Sequence, residues 1–330
     1  MELLLDIKHF IEWLPSVVTM SIVFFTGLIT FHILERIYPP VCPAYTTGPT
    51  RKGYLADFTA SIVEGPVMYA LTKMIIYCII MEFPVLVDGG MSTWPWVVQG
   101  LVFLLVNDFA RYWMHRWHHE SNFLWRFHRV HHTVTQMDAM STFRVHLFEA
   151  TFKYGFIVLP FHFMHCDKSV IVLYSTVDIL KGFWHHANVR THIGRLNYIF
   201  NSAELHWWHH SVEAKGQLAN YGSILSIWDW LFGTAYYEKG VWPDRIGVEG
   251  MDNFPETYHE MFATARFTDD QVIERFGPKA ADVTVAGVVD EASTAGETSS
   301  VAEAQAAKAA PREPTRGESI TPNPATASKS

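Results

Sequence analysis

Eighteen histidines occur in this chain of 330 residues, and three short segments repeat the pattern H-x-x-H-H. The segments are His115–His119, His128–His132 and His206–His210, and a further pair follows at His185 and His186. Residues at positions i, i+3 and i+4 of a helix are neighbours on one face. Each segment is therefore expected to direct two or three imidazoles toward a common point, which predicts metal binding.

The number of imidazoles indicates how many metal ions are involved. Together with His186, the three segments offer about nine ring nitrogens. A single structural zinc ion is four-coordinate, so this number favours two metal ions, each with a position left open. Imidazole binds Fe, Zn, Cu and Ni, and the spacing alone leaves the element undecided.

Several histidines are interpreted without a ligand role. Isolated histidines and those at a predicted turn are interpreted as ordinary: His9, His32, His259, His162 and His165. His192 and His146 are ambiguous, and His118 and His185 are the doubtful members of their segments.

Metal-bound imidazoles usually donate their second N–H to an acceptor, so nearby polar side chains are candidate partners. Asp108 lies seven residues before His115, on the same helical face. An ion pair of Asp108 with Arg111 or Arg116 is an equally good interpretation. Both alternatives stay open from the sequence.

Two further carboxylates could play the same part. Glu204 lies near His206, and Glu149 follows His146 by three residues. We expect Glu204, and His146 with Glu149, to contribute to the surroundings of the metal ligands.

Apolar segments must position these histidines. Hydrophobic residues make up 49% of the chain and charged residues 18%, below the roughly 25% charged residues of soluble domains. Four stretches are predicted to be membrane-embedded: Ser16–Ile37, Ile62–Met81, Trp94–Phe109, and a pair formed by Phe148–Met164 and Ser169–Trp184. Each arm of the pair is shorter than the ~20 residues of a straight span. The pair is therefore predicted to be a hairpin that enters the membrane and returns.

Charge predicts an orientation. Arg36, Arg51 and Lys52 follow the first stretch, whereas the loop after the second stretch holds Glu82 and Asp88 and no base. Further arginines follow the third stretch. By the positive-inside rule, the histidine segments are expected on the cytoplasmic side.

The remaining composition excludes other classes. The net charge of −8 gives no reason to propose nucleic-acid binding. Three cysteines without C-x-x-C spacing, at Cys42, Cys78 and Cys166, are interpreted as small apolar fillers. Residues 278–330 contain no aromatic residue, His, Cys or Met, and this composition predicts a disordered tail.

With these motifs the chain resembles the fatty acid hydroxylase/sterol desaturase superfamily of membrane non-haem di-iron enzymes. The resemblance covers about residues 107–237 and rests on motifs in matching order and spacing. The motifs are Asp108-x-x-x-Tyr112-x-x-His115-Arg116-x-x-His119, His128-Arg129-x-His131-His132-Thr133, Ser141-x-x-Arg144-x-His146-x-x-Glu149, His186-x-Asn188, His206-x-x-His209-His210, Asn220-Tyr221-Gly222 and Trp228-Asp229-x-Leu231-Phe232-Gly233-Thr234.

The resemblance implies a ligand set for two irons. The ligands would be His115, His119, His128, His131, His132, His186, His206, His209 and His210. Gly182 occupies a position where relatives with an H-x-x-x-H element would have a ligand. His185, or a water held by Asn188, would then substitute as a further metal contact.

The resemblance also implies an all-α fold, in which polytopic membrane helices carry a cytosolic histidine-rich helical cap that holds the dinuclear site. Residues 1–92 would form an N-terminal membrane region with two spans, and residues 93–240 the hydroxylase domain with its hairpin at about 148–184. Residues 241–277 would extend the cap, and residues 278–330 would form the tail.

The implied reaction is oxidation of a lipid C–H bond by O2. The sequence holds no G-x-G-x-x-G fingerprint and no cytochrome b5-like segment. Electrons are therefore expected from a separate reductase with a ferredoxin or a cytochrome b5-like carrier. Family members act on sterols, fatty acyl chains, sphingoid bases, ether lipids, carotenoids and amino-acid-containing lipids, so the substrate class stays open. A bacterial inner membrane is favoured over the ER membrane.

Two other functions compete with the oxygenase. A membrane zinc hydrolase is disfavoured because H-E-x-x-H is absent from the sequence. A metal-transport protein would place ionisable residues inside its spans, where only Glu64 and Lys73 qualify.

Overall fold

The computed structural model describes residues 2–45, 47–62 and 90–278, which are helical with irregular connections. The helices are α1 (Glu2–Ile37), α2 (described over 54–62), α3 (Trp96–Glu120), α4 (Asn122–His132), α5 (Leu147–Met164), α6 (Lys168–His186), α7 (Ala203–His209), α8 (Ala214–Gln217), α9 (Ile227–Phe232), α10 (Tyr258–Ala263) and α11 (Asp269–Phe276). Within the described ranges there is no β-strand, and two isolated bridges join Phe200 to Leu225 and Ser211 to Ile246. The predicted helical class is confirmed.

The first predicted membrane stretch is the apolar half of α1. Val18–Ile37 has 20 residues with a mean hydropathy of 1.7, and by length and composition it is the one segment of the described ranges that could cross a membrane. Its Phe24 and Phe31 rings pack on Phe183 of α6. The first helix is thereby attached to the helix that carries His186.

Helix α3 continues past the predicted end at Phe109, through to Glu120. Its N-terminal half exposes Leu101 and Leu105 but buries Phe103 against Tyr174 of α6. Because the helix is unbroken, the apolar half and the first histidine segment form one rigid element.

The two arms of the predicted hairpin are helices α5 and α6. They are joined at His165, whose φ of 52° reverses the chain, and Asp167 caps α6 by accepting from the Ser169 N–H at 2.8 Å. Both helices pack against α3. The bounds of the two helices lie within two residues of the predicted ones, and their arrangement as a membrane hairpin stays a prediction.

Two shorter helices, α4 and α7, carry most of the other histidines of the H-x-x-H-H segments. The Ser121 side chain caps α4, and the Ser202 side chain caps α7. Residues after 241 cover α4, where Val130 packs with Met251, Phe254, Met261 and Val272. The residues after 241 therefore share an apolar cluster with α4.

Some predictions fall on other parts of the chain. Of the predicted stretch Ile62–Met81, only Ile62 lies within the described residues, and of the tail 278–330, only Pro278 does. Cys78 lies outside them. Cys166 is a free thiol in the apolar core around Phe103.

Candidate metal centre

The nine histidines form two groups, in each of which the ring nitrogens lie within 4.8 Å of one another. The first group contains five residues: His115, His119, His128, His132 and His209. The second group contains four: His131, His186, His206 and His210. Sequence reasoning named all nine, and the structure brings them together from α3, α4, α6 and α7.

Each H-x-x-H-H segment on α4 and α7 is divided between the two groups. The i, i+4 pair enters one group and the residue at i+3 enters the other. On α4, His128 and His132 belong to the first group and His131 to the second. On α7, His206 and His210 belong to the second group and His209 to the first. Successive residues turn by about 100° around a helix, so the i+3 and i+4 side chains diverge. Each segment therefore directs two imidazoles to a common point, within the expected two or three, and on α4 and α7 the third histidine joins the other group.

The division makes the two groups adjacent. His132 of the first group stacks on His210 of the second, with ring centroids 4.5 Å apart and planes 20° apart. His131 and His132 have ring centroids 5.6 Å apart. Two ions held by these groups would be neighbours in one cage.

Hydrogen bonds fix the tautomers in the first group. Nδ1 of His115 donates to the Tyr221 carbonyl at 2.9 Å, and Nδ1 of His209 donates to the Ala219 carbonyl at 2.7 Å. A carbonyl oxygen only accepts, so each neutral ring presents a lone pair at Nε2. These two Nε2 atoms lie 2.9 Å apart. Facing lone pairs at this distance repel unless a cation lies between them.

The second group has the same construction. Nδ1 of His131 donates to the Arg144 carbonyl at 3.1 Å, and Nδ1 of His186 donates to the Gly182 carbonyl at 2.9 Å. Their Nε2 atoms lie 3.3 Å apart. Metal–imidazole bonds of about 2.1 Å place two ligands at right angles roughly 3.0 Å apart. The residues present therefore fit a metal ion in each group.

Burial keeps the rings neutral. Loss of solvation and the proximity of other imidazoles hold the pKa values of His115, His132 and His210 well below the usual range, and burial lowers the pKa of His209 to about 3. Neutral imidazole is the form that binds metals, so the site is prepared for cations at neutral pH.

One carboxylate contacts a histidine of the groups directly. The Oε1 atom of Glu149 accepts from Nδ1 of His128 at 2.7 Å, and both side chains are buried. Glu149 was expected to contribute to the surroundings of the proposed metal ligands, and its contact with His128 of α4 agrees with that expectation.

The other predicted partners have different contacts. Asp108 accepts from the backbone N–H groups of Ile224 and Leu225 at 2.7 and 3.0 Å and from Trp228. Neither alternative proposed for it is therefore seen, because Tyr221 takes the His115 N–H and Arg111 pairs with Asp178 at 2.7 Å. Asp108 anchors the segment that precedes α9.

Glu204 and His146 also differ from the prediction. Glu204 accepts from His192 and from Asn197, each at 2.8 Å. The Nδ1 atom of His146 accepts from the Phe148 N–H at 3.0 Å. Both residues shape the loops around the site and do not orient a histidine of the groups.

The candidates for a further metal contact lie outside both groups. His185 donates from Nε2 to the Asn201 carbonyl at 2.8 Å. The Asn188 amide is bonded at both ends to the backbone of Cys42, at 2.9 and 3.0 Å. His118 donates to the Met114 carbonyl of its own helix at 2.7 Å.

Sequence reasoning missed the backbone carbonyls that fix the rings. Every residue has a carbonyl, so composition carries no signal for this role. The sequence offered one signal, the asparagine at position 220, because asparagine tolerates the left-handed backbone conformation. Asn220 has such a conformation, with a φ of 58°. Its side chain donates to the Leu205 and Tyr236 carbonyls and thereby holds the turn that presents the Ala219 and Tyr221 carbonyls.

Comparisons with known proteins agree with this site. The family model for fatty acid hydroxylases matches residues 100–234. An ornithine lipid hydroxylase of Rhizobium tropici is 35% identical over 158 residues, covering 48% of this chain and 47% of the relative. An alkylglycerol monooxygenase of Xenopus tropicalis is 33% identical over 148 residues, covering 45% of this chain and 32% of the relative.

A more distant relative extends the range of chemistry. A Delta(7)-sterol 5(6)-desaturase of Gibberella zeae is 26% identical over 148 residues, covering 44% of this chain and 40% of the relative. The matches thus span less than half the length of these curated relatives. No solved structure matches the chain.

Proposed function

We propose that this protein is an O2-dependent di-iron hydroxylase or desaturase of a membrane lipid, since the fatty acid hydroxylase family model matches its residues 100–234. One observation carries the proposal: nine imidazoles, eight of them buried and that of His115 half-buried, form two adjacent groups in which Nε2 lone pairs face one another. Iron, when bound, would supply the reduction of O2 and the cleavage of an unactivated C–H bond.

The residues then have separate tasks. The histidines of the two groups are the proposed ligands, and the carbonyls of Tyr221, Ala219, Arg144 and Gly182 hold their rings in one tautomer. Glu149 supports His128 and adds negative charge beside the first group. Outer partners of this kind usually change metal affinity by about 10–100-fold.

The reaction balances with two external electrons. In hydroxylation, one C–H bond breaks and one C–O bond forms, while the second oxygen atom leaves as water with two protons. In desaturation, two C–H bonds break and both oxygen atoms leave as water. We propose that a separate reductase with a ferredoxin or a cytochrome b5-like carrier supplies these electrons.

The substrate is proposed to be a polar membrane lipid. The named relatives act on ornithine lipids, alkylglycerols and sterols, and an amino-acid-containing lipid is the class of the first of these. We assign the chain to a membrane as a polytopic protein with the histidines on the cytoplasmic side. A bacterial inner membrane is favoured over the ER membrane.

An aromatic surface offers a route for the lipid. Phe123, Phe148 and Phe152 are 59%, 40% and 38% exposed, respectively. Phe148 lies 6.3 Å from both of the other rings, measured between centroids. Phe152 lies 5.9 Å from His118, which in turn lies 5.5 Å from His128. We propose that the acyl chain enters laterally along this surface between α3 and α5.

The test is metal content followed by activity. Full-length protein purified without oxygen in detergent should hold about two irons per chain, and His131→Ala should lower that number. His259→Ala is the matched control, because His259 is exposed and lies outside both groups.

Loaded protein, supplied with electrons and O2, should then add an oxygen atom to an ornithine lipid or remove two hydrogens, as read by mass spectrometry. One zinc per chain that is unaffected by His131→Ala would contradict the proposal and favour the zinc hydrolase. An ion that passes through the protein without being retained would favour the metal-transport alternative.

A further inference from the structure

A buried ionic cluster lies beside the second histidine group, and it joins residues inside the part of the chain that the family model matches to residues outside that part. Arg51 contacts Asp57 at 2.5 Å, and Asp57 in turn contacts Arg144 at 2.8 Å. The side chains of Arg51 and Asp57 are 0% exposed and that of Arg144 is 4% exposed. Two of the three residues come from the loop between α1 and α2 and from the start of α2.

This cluster clamps both ends of one turn. The turn Ala139–Phe143 begins after Asp138, which contacts Arg51 Nε at 3.0 Å and accepts from the Gly48 N–H at 2.8 Å. The turn ends at Arg144, which Asp57 holds. Its two ends are therefore fixed by the loop before α2 and by the first turn of α2.

The turn carries the acceptor for a proposed ligand. The Arg144 carbonyl accepts from Nδ1 of His131 at 3.1 Å. That bond determines which nitrogen of His131 faces the second group. The Arg144 side chain thus connects the ionic cluster to the orientation of a metal-facing imidazole.

The N-terminal loop is shaped around this arginine. Gly53 has φ +75°, and a Cβ atom built there would lie 2.0 Å from Nη2 of Arg144. A side chain at this position would collide with the guanidinium in addition to straining the backbone. The loop conformation and the position of Arg144 therefore depend on each other.

A buried ion cluster is a poor source of stability by itself, because the charges lose their hydration. Its value lies in geometry, since each charge is satisfied in one arrangement only. Three observations thus converge: the buried ion pairs, the clamped turn, and the carbonyl contact with His131.

We propose that Arg51, Asp57 and Arg144 are positioning residues for the second metal of the centre, acting through the Arg144 carbonyl on His131. This inference rests on the proposed function. It adds that the N-terminal region tunes one of the two metal positions selectively.

The test uses full-length protein loaded with 57Fe in detergent and examined by Mössbauer spectroscopy. The two histidine groups should contribute two iron signals of equal weight in the wild type. Asp57→Asn removes one charge with little change in shape. It should shift or broaden one signal, about half of the iron, and leave the other unchanged.

Arg51→Lys is a second variant in case Asp57→Asn fails to fold. An ammonium keeps the charge but cannot reproduce the forked contact with Asp57 and Asp138 together. It should alter the same signal to a smaller extent. Glu256→Gln is the control, since it breaks the half-exposed pair with Lys52 at 2.6 Å, next to Arg51 in sequence.

Two results would overturn the inference while leaving the proposed function intact. Folded Asp57→Asn protein with both signals unchanged would show that the cluster does not act on the metal. Equal change in both signals would show a general structural role. A wild type that holds no iron would refute the proposed function itself, and the inference with it.

Discussion

The two histidine groups are built alike at the ring nitrogens and differently in what surrounds them. The first group has five histidines from α3, α4 and α7, and a carboxylate supports His128. The second group has four histidines, one of them from the end of α6, and its acceptors are carbonyls. The first group is therefore richer in histidines and in negative charge.

The two groups also differ in which parts of the chain hold their histidines in place. Elements within residues 100–234 complete the first group. The second group depends in addition on the N-terminal loop that holds Arg144 and on Glu35 of α1, which accepts from the N–H groups of Ala139 and Asn188 at 2.8 and 3.1 Å. We infer that the second position, with fewer ligands, has more room for an exogenous ligand and is easier to empty.

The largest expected effect comes from removing one ligand from each group at neighbouring positions. His209→Ala leaves four histidines in the first group, whereas His210→Ala leaves three in the second. Both variants should lose activity by more than about 100-fold, because ligands matter more than their outer partners. His210→Ala should also lose about one metal ion per chain, and His209→Ala should lose less.

Metal content by mass spectrometry, before and after dialysis against a chelator, measures this contrast. His118→Leu is the control for metal content, because this buried histidine lies outside both groups and donates to the Met114 carbonyl. Equal metal loss in the two alanine variants would show that five and four ligands are equivalent here.

A smaller effect is expected from the carboxylate that distinguishes the first group. Glu149→Gln removes the charge beside His128 and weakens a charge-assisted hydrogen bond. Metal release from the first group should become about 10-fold faster, within the usual range for outer partners. The comparison is Glu204→Gln, whose contacts are His192 and Asn197.

Release can be followed as absorbance of a coloured chelator complex over time. Two kinetic phases are expected in the wild type, and Glu149→Gln should accelerate one of them. A faster phase in Glu204→Gln of the same size would instead attribute the effect to general loosening of the cap.

The sequence could predict which nine histidines come together, because the H-x-x-H-H spacing is local and helix geometry converts spacing into proximity. The division between the groups was also within reach, since i+3 and i+4 side chains diverge on any helix. What local spacing cannot supply is the partner of each ring. Glu149 reaches His128 across 21 positions and Asp108 reaches Ile224 across 116, and such contacts depend on how helices pack.

The bounds of the helices show the same difference between features that local sequence determines and features that distant contacts determine. Apolar composition predicted α5 and α6 to within two residues at each end, whereas for α1 it predicted only the part from Ser16, and the helix begins at Glu2. The membrane-embedded stretch predicted in this region ends at Phe109, whereas α3 continues to Glu120, as the helical spacing of the first histidine segment implied. In this continuation Arg111 pairs with Asp178 of α6, and His115 donates to the Tyr221 carbonyl.

The smallest expected effect concerns the position that sets the second group apart. Gly182 lies one turn before His186 on α6, and a Cβ atom built there would lie 2.6 Å from Oγ1 of Thr142. The Thr142 hydroxyl thus occupies the space where a side chain at position 182 would begin, on the helix face that carries His186. Gly182→Ala should lower the free energy of unfolding by about 1 kcal/mol, because overpacking outweighs the gain in helix propensity.

In a Thr142→Ala background the same change should reverse its sign. With the hydroxyl removed, Gly182→Ala should stabilise the helix by roughly 0.5–1 kcal/mol through its lower backbone entropy. Thermal unfolding of the four proteins in one detergent gives the interaction energy of the pair. Additive effects would mean that Thr142 does not fill this space, and the shortage of ligands in the second group would then need a cause other than the packing of this turn.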